Sequence, residues 1–500
     1  MPTKRLTRNF VVNLFSPLAR IAVALFTIPI YVHHLGDARY GVLQIAWILL
    51  GYFGFLDLGL ARASINALAK LRAGPQSERA RVLLTTVSLS LGFGLVGAAL
   101  LFAVGEYLFR YVLSVPADLK EEISQSFPWM VCLFPMTLVT GVGLGALESR
   151  ERFFLANLLQ ILTMSLSQIV PVILAVFVSP SLTVVMPSIA LMQAAGMMVT
   201  GICVYWLEKP FSFRAFDWSE ARTLLHYGGW VTVTAVIYPI LVAADQFLIG
   251  SLIGMAEVAH YAVPMNLVTR TMTFPAAVGR TFFPRLSSLP REAAHELAGR
   301  ALLTLGYSYA VVCAPGIILA PVFIRYWIGA DFALVSGPVA QILFFGAWAN
   351  GLAFVAYTLI QSQGRPDLTG KVHFAEVLPF LGVLWVLTTT FGIKGAAVAW
   401  TLRNAVDALL MFWAAGISRR DVVAPVARPA ALLIGCQIVS RFVGSSLALS
   451  IPAAALAGLV AVGLAYAYSD DSRRILTAQF IRARTLGEAL IRRAKPAQSA

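Results

Sequence analysis

Three arginines lie inside long apolar segments, where a cation needs a physical reason to be present. Arg20, Arg270 and Arg403 each interrupt a run that is otherwise apolar enough to cross a membrane. A cation at mid-membrane costs about 3 kcal/mol even on the most lenient insertion scale. A guanidinium fork suits phosphate oxygens, and two of them suit a pyrophosphate. Arg20 and Arg270 are therefore candidate ligands for a diphosphate. The alternative is that each pairs with an intramembrane carboxylate.

Uncharged polar residues accompany both arginines at helical spacing. Asn13 and Ser16 share a helix face with Arg20, and Asn266 lies four residues before Arg270. A polar face on a spanning helix should point into the bundle or a water-filled cavity. We predict that the cavity is lined by Asn13, Ser16, Asn266 and Tyr238. Hydrogen bonds between helices are the alternative role for these groups.

Four carboxylates are candidates for a gate, an ion-coupling site or a structural ion pair. Asp57 and Asp245 lie off the mid-plane of their apolar segments, so they are predicted to gate transport, to form salt bridges or to couple transport to H⁺ or Na⁺. Arg403 and Asp407 are four residues apart on one helix, which favours an internal ion pair. Glu376 lies near the cytoplasmic end of its segment, where its side chain could reach the surface.

The composition places these residues in an all-α polytopic membrane protein. The chain has 500 residues, of which 59% are hydrophobic and only 12% are charged. Apolar runs of about 20 residues recur along its length and predict about 14 transmembrane helices. Their approximate limits are 10–32, 41–60, 82–104, 126–147, 153–178, 182–206, 223–249, 256–279, 301–324, 337–361, 373–391, 395–415, 426–443 and 449–468.

The distribution of Lys and Arg predicts the orientation of the chain. With the N-terminus in the cytoplasm, inside segments hold 29 Lys and Arg residues and outside loops hold 6. This asymmetry follows the positive-inside rule and predicts that both termini are cytoplasmic. The net charge of +14 lies in these loops and at the chain ends, so we exclude a nucleic-acid partner.

The loops also predict the domain organisation. A cytoplasmic linker at 210–222 separates an N-lobe of six helices (1–209) from a C-lobe of six (223–415), a common transporter plan with a central site. Two extra helices follow at 416–470. The tail, 471–500, is basic and amphipathic, which suits an anionic cytoplasmic leaflet; a solvated, frayed tail is the alternative.

Motifs of enzymes and metal sites are missing from the sequence. The four cysteines are far apart in apolar segments, which argues against disulfides and metal ligation. The sequence contains no P-loop, HExxH or GxSxG motif, and no segment is long enough for a soluble catalytic domain. We therefore expect no catalytic residue, no metal site and no cofactor.

An ordered set of short motifs links the chain to one family. They are Asn13…Pro29-Ile30-Tyr31…Leu35-Gly36…Tyr40-Gly41, Leu56-Asp57-Leu58-Gly59-Leu60, Ala244-Asp245-Gln246-Phe247-Leu248-Ile249-Gly250, Tyr261-Ala262, Trp327-Ile328-Gly329-Ala330-Asp331-Phe332, Gln363-Gly364-Arg365 and Phe391-Gly392-Ile393-Lys394-Gly395-Ala396-Ala397. In this order, over residues 8–415, the chain resembles the Wzx-type polysaccharide-biosynthesis flippases of the MOP superfamily. The same superfamily holds the MATE drug exporters and the lipid II flippases.

The resemblance implies a V-shaped bundle of two lobes and a transport function. The implied substrate is an undecaprenyl-diphosphate-linked oligosaccharide, translocated across the bacterial inner membrane for O-antigen, capsule or exopolysaccharide synthesis. It also implies central-cavity positions for Arg20 and Arg270, and polymerase or glycosyltransferase partners. A lipid II flippase and an ion-coupled multidrug exporter are alternatives within the superfamily. A membrane polysaccharide polymerase or ligase is disfavoured, because the chain has no large outer loop.

Overall fold

The architecture is helical throughout the part of the chain that the structure describes. The computed structural model describes residues 21–57, 59–71, 74–208, 216–222, 241–474 and 477, and these contain no β-strand. The helices are α1 (Ile21–Leu35), α2 (Asp37–Phe53), α3 (Leu60–Lys70), α4 (Gln76–Tyr107), α5 (Ala117–Ser149), α6 (Phe153–Phe177), α7 (Leu182–Leu207), α8 (Leu241–Leu252), α9 (Met255–Thr271), α10 (Thr273–Ser288), α11 (Arg291–Trp327), α12 (Ala330–Ser362), α13 (Pro366–Ala414), α14 (Arg419–Val443) and α15 (Leu447–Tyr468).

Long apolar helices dominate this set. Among the described residues, nine helices are long and apolar enough to cross a membrane. One of them, α13, has 49 residues and covers two predicted spans. The predicted all-α membrane fold is confirmed. The count of 14 spans is consistent with these helices and stays a prediction.

The chain divides into two compact units, residues 1–262 and 263–500. In the first unit α5 is central and contacts α3, α4 and α7, while α6 packs on α7. Small residues allow helices of this unit to approach closely. A Cβ added to Gly94 in α4 would lie 2.7 Å from the Cα of Pro135 in α5. Close contacts through glycine are typical of helices packed in a membrane.

The second unit is built around α12, which packs against α10, α11 and α13. Of its most apolar segment, 78% is buried, more than in any other candidate span among the described residues. The Trp348 indole N–H in α12 donates to the carbonyl of Gly306 in α11 at 2.9 Å. Helices α14 and α15 pack on α11 at the periphery of this unit.

The division at residue 262 lies inside α9 and not at the predicted linker, 210–222. The reason is that the segment after the linker packs on the first unit. The backbone N–H of Ser114 donates to the Gly250 carbonyl at 2.8 Å, and a Cβ on Gly41 would lie 1.8 Å from the carbonyl oxygen of Met255. The six-and-six lobes stay a prediction based on span count.

Helix α13 is a helical hairpin with its turn at Gly392. This glycine has φ 62° and ψ −145°, a conformation that L side chains rarely adopt. Glu376 and Arg403 are in contact at 3.5 Å, although 27 residues of continuous helix would span about 40 Å. The chain therefore reverses at Gly392, and its two arms lie side by side.

Candidate functional site

Arg270 lies where a predicted span breaks into two helices. It is in the last turn of α9, and Met272 separates α9 from α10. The break follows from Pro275, which has no N–H to donate to the Thr271 carbonyl one turn earlier. A cation in the last turn of a helix is stabilised by the negative end of the helix dipole. The sequence therefore sets both the break and the charge beside it.

The residues around the break hold it against α11. The hydroxyls of Thr271 and Tyr309 are 2.7 Å apart, and the Phe274 ring stacks on Tyr309 with centroids 5.9 Å apart. Asn266 and Arg270 are both half-buried, whereas Met265 and Val268 are buried. The structure thus places the two predicted site residues together on the less buried face of α9.

A second group of polar side chains is buried between the two arms of α13. Arg403 Nε lies 3.5 Å from Glu376 Oε2, and His373 Nε2 lies 3.5 Å from Asp407 Oδ1. The carboxyl groups of Glu376 and Asp407 are neighbours. Glu376, Arg403 and Asp407 are each no more than 8% exposed. We call these four residues the α13 cluster.

The α13 cluster replaces the predicted ion pair between Arg403 and Asp407. The reversal at Gly392 gives Arg403 a carboxylate on the opposite arm, and Asp407 faces His373 instead. Glu376 was predicted to reach the surface, but it is 5% exposed because α13 folds over it. Among the described residues, neither Glu376 oxygen has a hydrogen-bond partner, and Arg403 Nε and Asp407 Oδ1 have none.

The charge of the α13 cluster is unbalanced. Two ionised carboxylates and one guanidinium leave a net negative charge when His373 is neutral. Two like charges this close in a buried site cannot both ionise without a large energetic cost. A proton bound to either carboxyl would neutralise the group. The arrangement can therefore bind and release a proton.

The other two predicted carboxylates occupy different settings in the first unit. Asp57 ends a 3₁₀ turn, Gly54–Asp57, that interrupts the predicted second span between α2 and α3. Asp245 is fully buried and accepts hydrogen bonds from the Tyr261 hydroxyl at 2.6 Å and from the backbone N–H of Gln246 at 2.8 Å. Asp245 thus connects α8 to α9. Gating or ion coupling at these positions stays a prediction.

Four predicted site residues lie outside the described part of the chain. They are Arg20, Asn13, Ser16 and Tyr238. Most of the predicted tail helix, beyond residue 477, lies outside it as well. Their roles stay predictions.

A buried ionic cluster that the sequence did not predict lies at the predicted cytoplasmic end of the first unit. Glu208, which caps α7, accepts from Arg150 at 3.0 and 2.8 Å and from Arg79 Nε at 3.1 Å. Arg79 also donates to Ser149 Oγ at 3.1 Å and to the Leu68 carbonyl. Burial raises the pKa of Glu208, but the hydrogen bonds from both arginines outweigh burial and hold the pKa below its ordinary value. This cluster joins α3, α4, α5 and α7.

One signal could have found the α13 cluster. Glu376 and Asp407 are almost equidistant along the chain from Gly392, so a turn at that glycine places them opposite each other on the two arms of α13. No such symmetry relates Arg79, Arg150 and Glu208, which come from three separate helix ends. Their meeting depends on tertiary packing.

The fold has clear counterparts among solved structures. The lipid II flippase MurJ, in an inward closed conformation, aligns with a TM-score of 0.71 and 14% identity, over 92% of this chain and 99% of that one. An inward-facing multidrug resistance MATE family transporter of the MOP superfamily aligns with a TM-score of 0.60 and 16% identity, over 82% of this chain and 99% of that one. These likenesses show that the chain has the MOP fold.

Sequence comparison adds a relative and a family. The chain is 28% identical over 414 residues to the "Putative O-antigen transporter" of Shigella flexneri, covering 81% of this chain and 96% of that protein. The model of the family described as polysaccharide biosynthesis protein matches residues 6–289, more than half of the chain. This match includes both Arg20 and Arg270. The chain belongs to the polysaccharide biosynthesis protein family.

Proposed function

We propose that this protein is a flippase for a lipid-linked oligosaccharide. It moves an undecaprenyl-diphosphate-linked glycan from the cytoplasmic to the periplasmic leaflet of the bacterial inner membrane by alternating access. The glycan then enters O-antigen, capsule or exopolysaccharide synthesis, with glycosyltransferases or a polymerase acting before and after it. The observation that carries the proposal is the family match over residues 6–289, which includes both arginines proposed to bind the diphosphate.

The geometry around Arg270 supports a role in binding an anion. Arg270 is a half-buried residue next to a helix break, and hydrogen bonding and stacking at Tyr309 fix that break. A guanidinium can bind phosphate oxygens through two parallel hydrogen bonds. Arg20 is proposed to bind the other phosphate.

Charge reversal tests this assignment in a bacterium whose surface polysaccharide depends on the protein. Arg20→Glu and Arg270→Glu should each reduce surface polysaccharide at least tenfold, because a carboxylate repels the diphosphate. Arg441→Glu is the matched control, since Arg441 is an exposed residue in the last turn of α14. Membrane levels of all variants are measured by immunoblotting. Normal polysaccharide in both Arg20→Glu and Arg270→Glu strains would refute the role of the arginines.

A multidrug exporter and a lipid II flippase are the competing functions. An exporter of cationic drugs would be expected to place carboxylates near its substrate, whereas Arg270 brings a cation to the α9–α10 break. Drug resistance on overexpression would support the exporter. Rescue of a strain that lacks its lipid II flippase would instead support lipid II as the substrate.

We also propose that H⁺ drives transport through the α13 cluster. A proton suits this cluster better than Na⁺ does, because the Arg403 guanidinium next to Glu376 repels a metal cation.

Glu376→Gln keeps the size of the side chain and removes its titration. This variant should lose the dependence of transport on a pH gradient, while substrate binding remains. The control is Asp367→Asn, an exposed carboxylate at the start of the same helix that accepts from Lys371. Unchanged pH dependence in Glu376→Gln would contradict the assignment.

A further inference from the structure

The part of α14 that is predicted to be cytoplasmic carries a shallow, open cavity with a mostly apolar lining and an arginine at each end. It has a volume of about 530 Å³, and the described residues that line it are Arg420, Val423, Ala424, Ala427 and Arg428. These residues recur at spacings of three and four, so they form one face of α14. The two arginines are about 12 Å apart along the helix axis.

Arg428 is held in a fixed orientation. Its guanidinium carbon lies 3.9 Å from the centroid of the Tyr468 ring, and its Nη1 donates to the Tyr307 hydroxyl at 3.4 Å. Tyr307 is buried and donates in turn to the Ala424 carbonyl at 3.2 Å. Stacking on an aromatic face leaves the edge of the guanidinium, with its remaining donors, available to an anion.

Charge at this cavity is unbalanced within the described residues. Neither Arg420 nor Arg428 forms an ion pair with a described carboxylate, and both side chains are exposed. The distribution of Lys and Arg predicts that this end of α14 lies on the cytoplasmic side. Tyr468 is the last residue of α15, so the contact with Arg428 sets that arginine at the level where α15 ends. Tyrosine is typical of this interfacial level.

An apolar surface continues from the cavity along the same face of α14. Ile434, Ile438 and Phe442 follow Ala427 at helical spacing, and they are 52%, 52% and 85% exposed. A lipid with its phosphate at the arginines could lay an acyl chain along this surface. A free phosphate would use only the arginines.

We propose that this cavity is a binding site for the headgroup of an anionic glycerophospholipid of the cytoplasmic leaflet. Arg428 and Arg420 bind the phosphate and the polar headgroup, Val423 and Ala427 contact the glycerol region, and the exposed stripe of α14 contacts an acyl chain. This site is independent of the glycan that the protein carries.

Lipid binding to the purified full chain tests the proposal. Binding of phosphatidylglycerol and phosphatidylcholine is measured by native mass spectrometry and by the shift in melting temperature in detergent. We expect at least tenfold tighter binding of phosphatidylglycerol. The double variant Arg420→Gln/Arg428→Gln should lose this preference. The matched control Arg325→Gln/Arg441→Gln removes two arginines on the predicted outer side and should keep it.

Three further results decide between explanations. If the control pair loses the preference for phosphatidylglycerol equally, the effect is a nonspecific one of charge, and the proposed site is refuted. Binding of inorganic phosphate as tight as that of phosphatidylglycerol would show an anion site without lipid selectivity, which also contradicts the proposal. If the double variant fails to fold, Arg420→Gln alone decides, because Arg420 is an exposed residue. Arg420→Gln should weaken phosphatidylglycerol binding severalfold, and unchanged binding would refute the proposed site.

Discussion

At the scale of single residues, the described part of the chain contains two groups of buried charges. Glu208 is held by Arg79 and Arg150, and Glu376 lies beside Arg403. The two groups differ in how well the hydrogen-bonding capacity of their carboxylates is satisfied. Glu208 accepts several hydrogen bonds, whereas Glu376 accepts none from the residues that the structure describes. A buried carboxylate whose hydrogen bonds are fully satisfied suits a structural role. A buried carboxylate without such hydrogen bonds suits a change of protonation.

Replacing Glu208 should destabilise the first unit. Glu208→Gln leaves two arginines without their counter-charge, one of them fully buried, and removing one partner of a buried pair costs about 3 kcal/mol. Thermal unfolding of the purified protein at neutral pH measures the loss. Glu121→Gln is the control, because Glu121 is an exposed carboxylate in the same unit. Equal melting temperatures for the wild type and Glu208→Gln would contradict the structural role.

The lowered pKa of Glu208 also predicts a dependence on pH. A carboxyl whose pKa is lower in the folded than in the unfolded state contributes stability at neutral pH, and the contribution is lost as pH falls through the folded-state pKa. The melting temperature of the wild type should therefore fall as pH drops below about 4.5. Glu208→Gln should show a smaller fall over the same range. Parallel curves for the two proteins would count against this linkage.

At the scale of elements, glycine and proline decide where spans bend. Gly392 reverses α13, and Pro275 separates α9 from α10. Each change of direction brings a charged residue to a position that a straight helix would not reach. The hairpin sets Glu376 against Arg403, and the break sets Arg270 at a helix end. Charge placement in the second unit therefore depends on a few backbone positions.

Gly395 allows the tight turn of the α13 hairpin. A Cβ at this position would lie 1.8 Å from the carbonyl oxygen of Leu387, so the backbone would have to move. Gly395→Ala should destabilise the protein by about 3 kcal/mol through overpacking. Gly382→Ala, in open space on the same helix, should change stability by less than about 1 kcal/mol. Thermal unfolding of both variants compares them, and similar effects would contradict the importance of the turn.

At the scale of the whole molecule, hydropathy predicted the architecture well. Apolar runs predicted the long helices, because a chain in lipid must satisfy its backbone hydrogen bonds within helices. Ordered motifs predicted the family. The clusters at Glu208 and Glu376 were not predicted, since their members come from separate helices or opposite arms, and spacing along one helix cannot reveal such pairs. Arg403 shows this most directly: its nearest carboxylate in sequence is Asp407, yet its partner is Glu376.

The proposed function depends on which molecule crosses the membrane. The most direct measurement uses proteoliposomes with the purified protein and a fluorescent undecaprenyl-diphosphate-linked oligosaccharide, with a membrane-impermeant reagent reporting on lipid in the outer leaflet. Movement between leaflets should be at least tenfold faster than in empty liposomes, and Arg270→Glu should abolish the increase. A rate equal to that of empty liposomes, from protein that is folded and inserted, would contradict the proposed function.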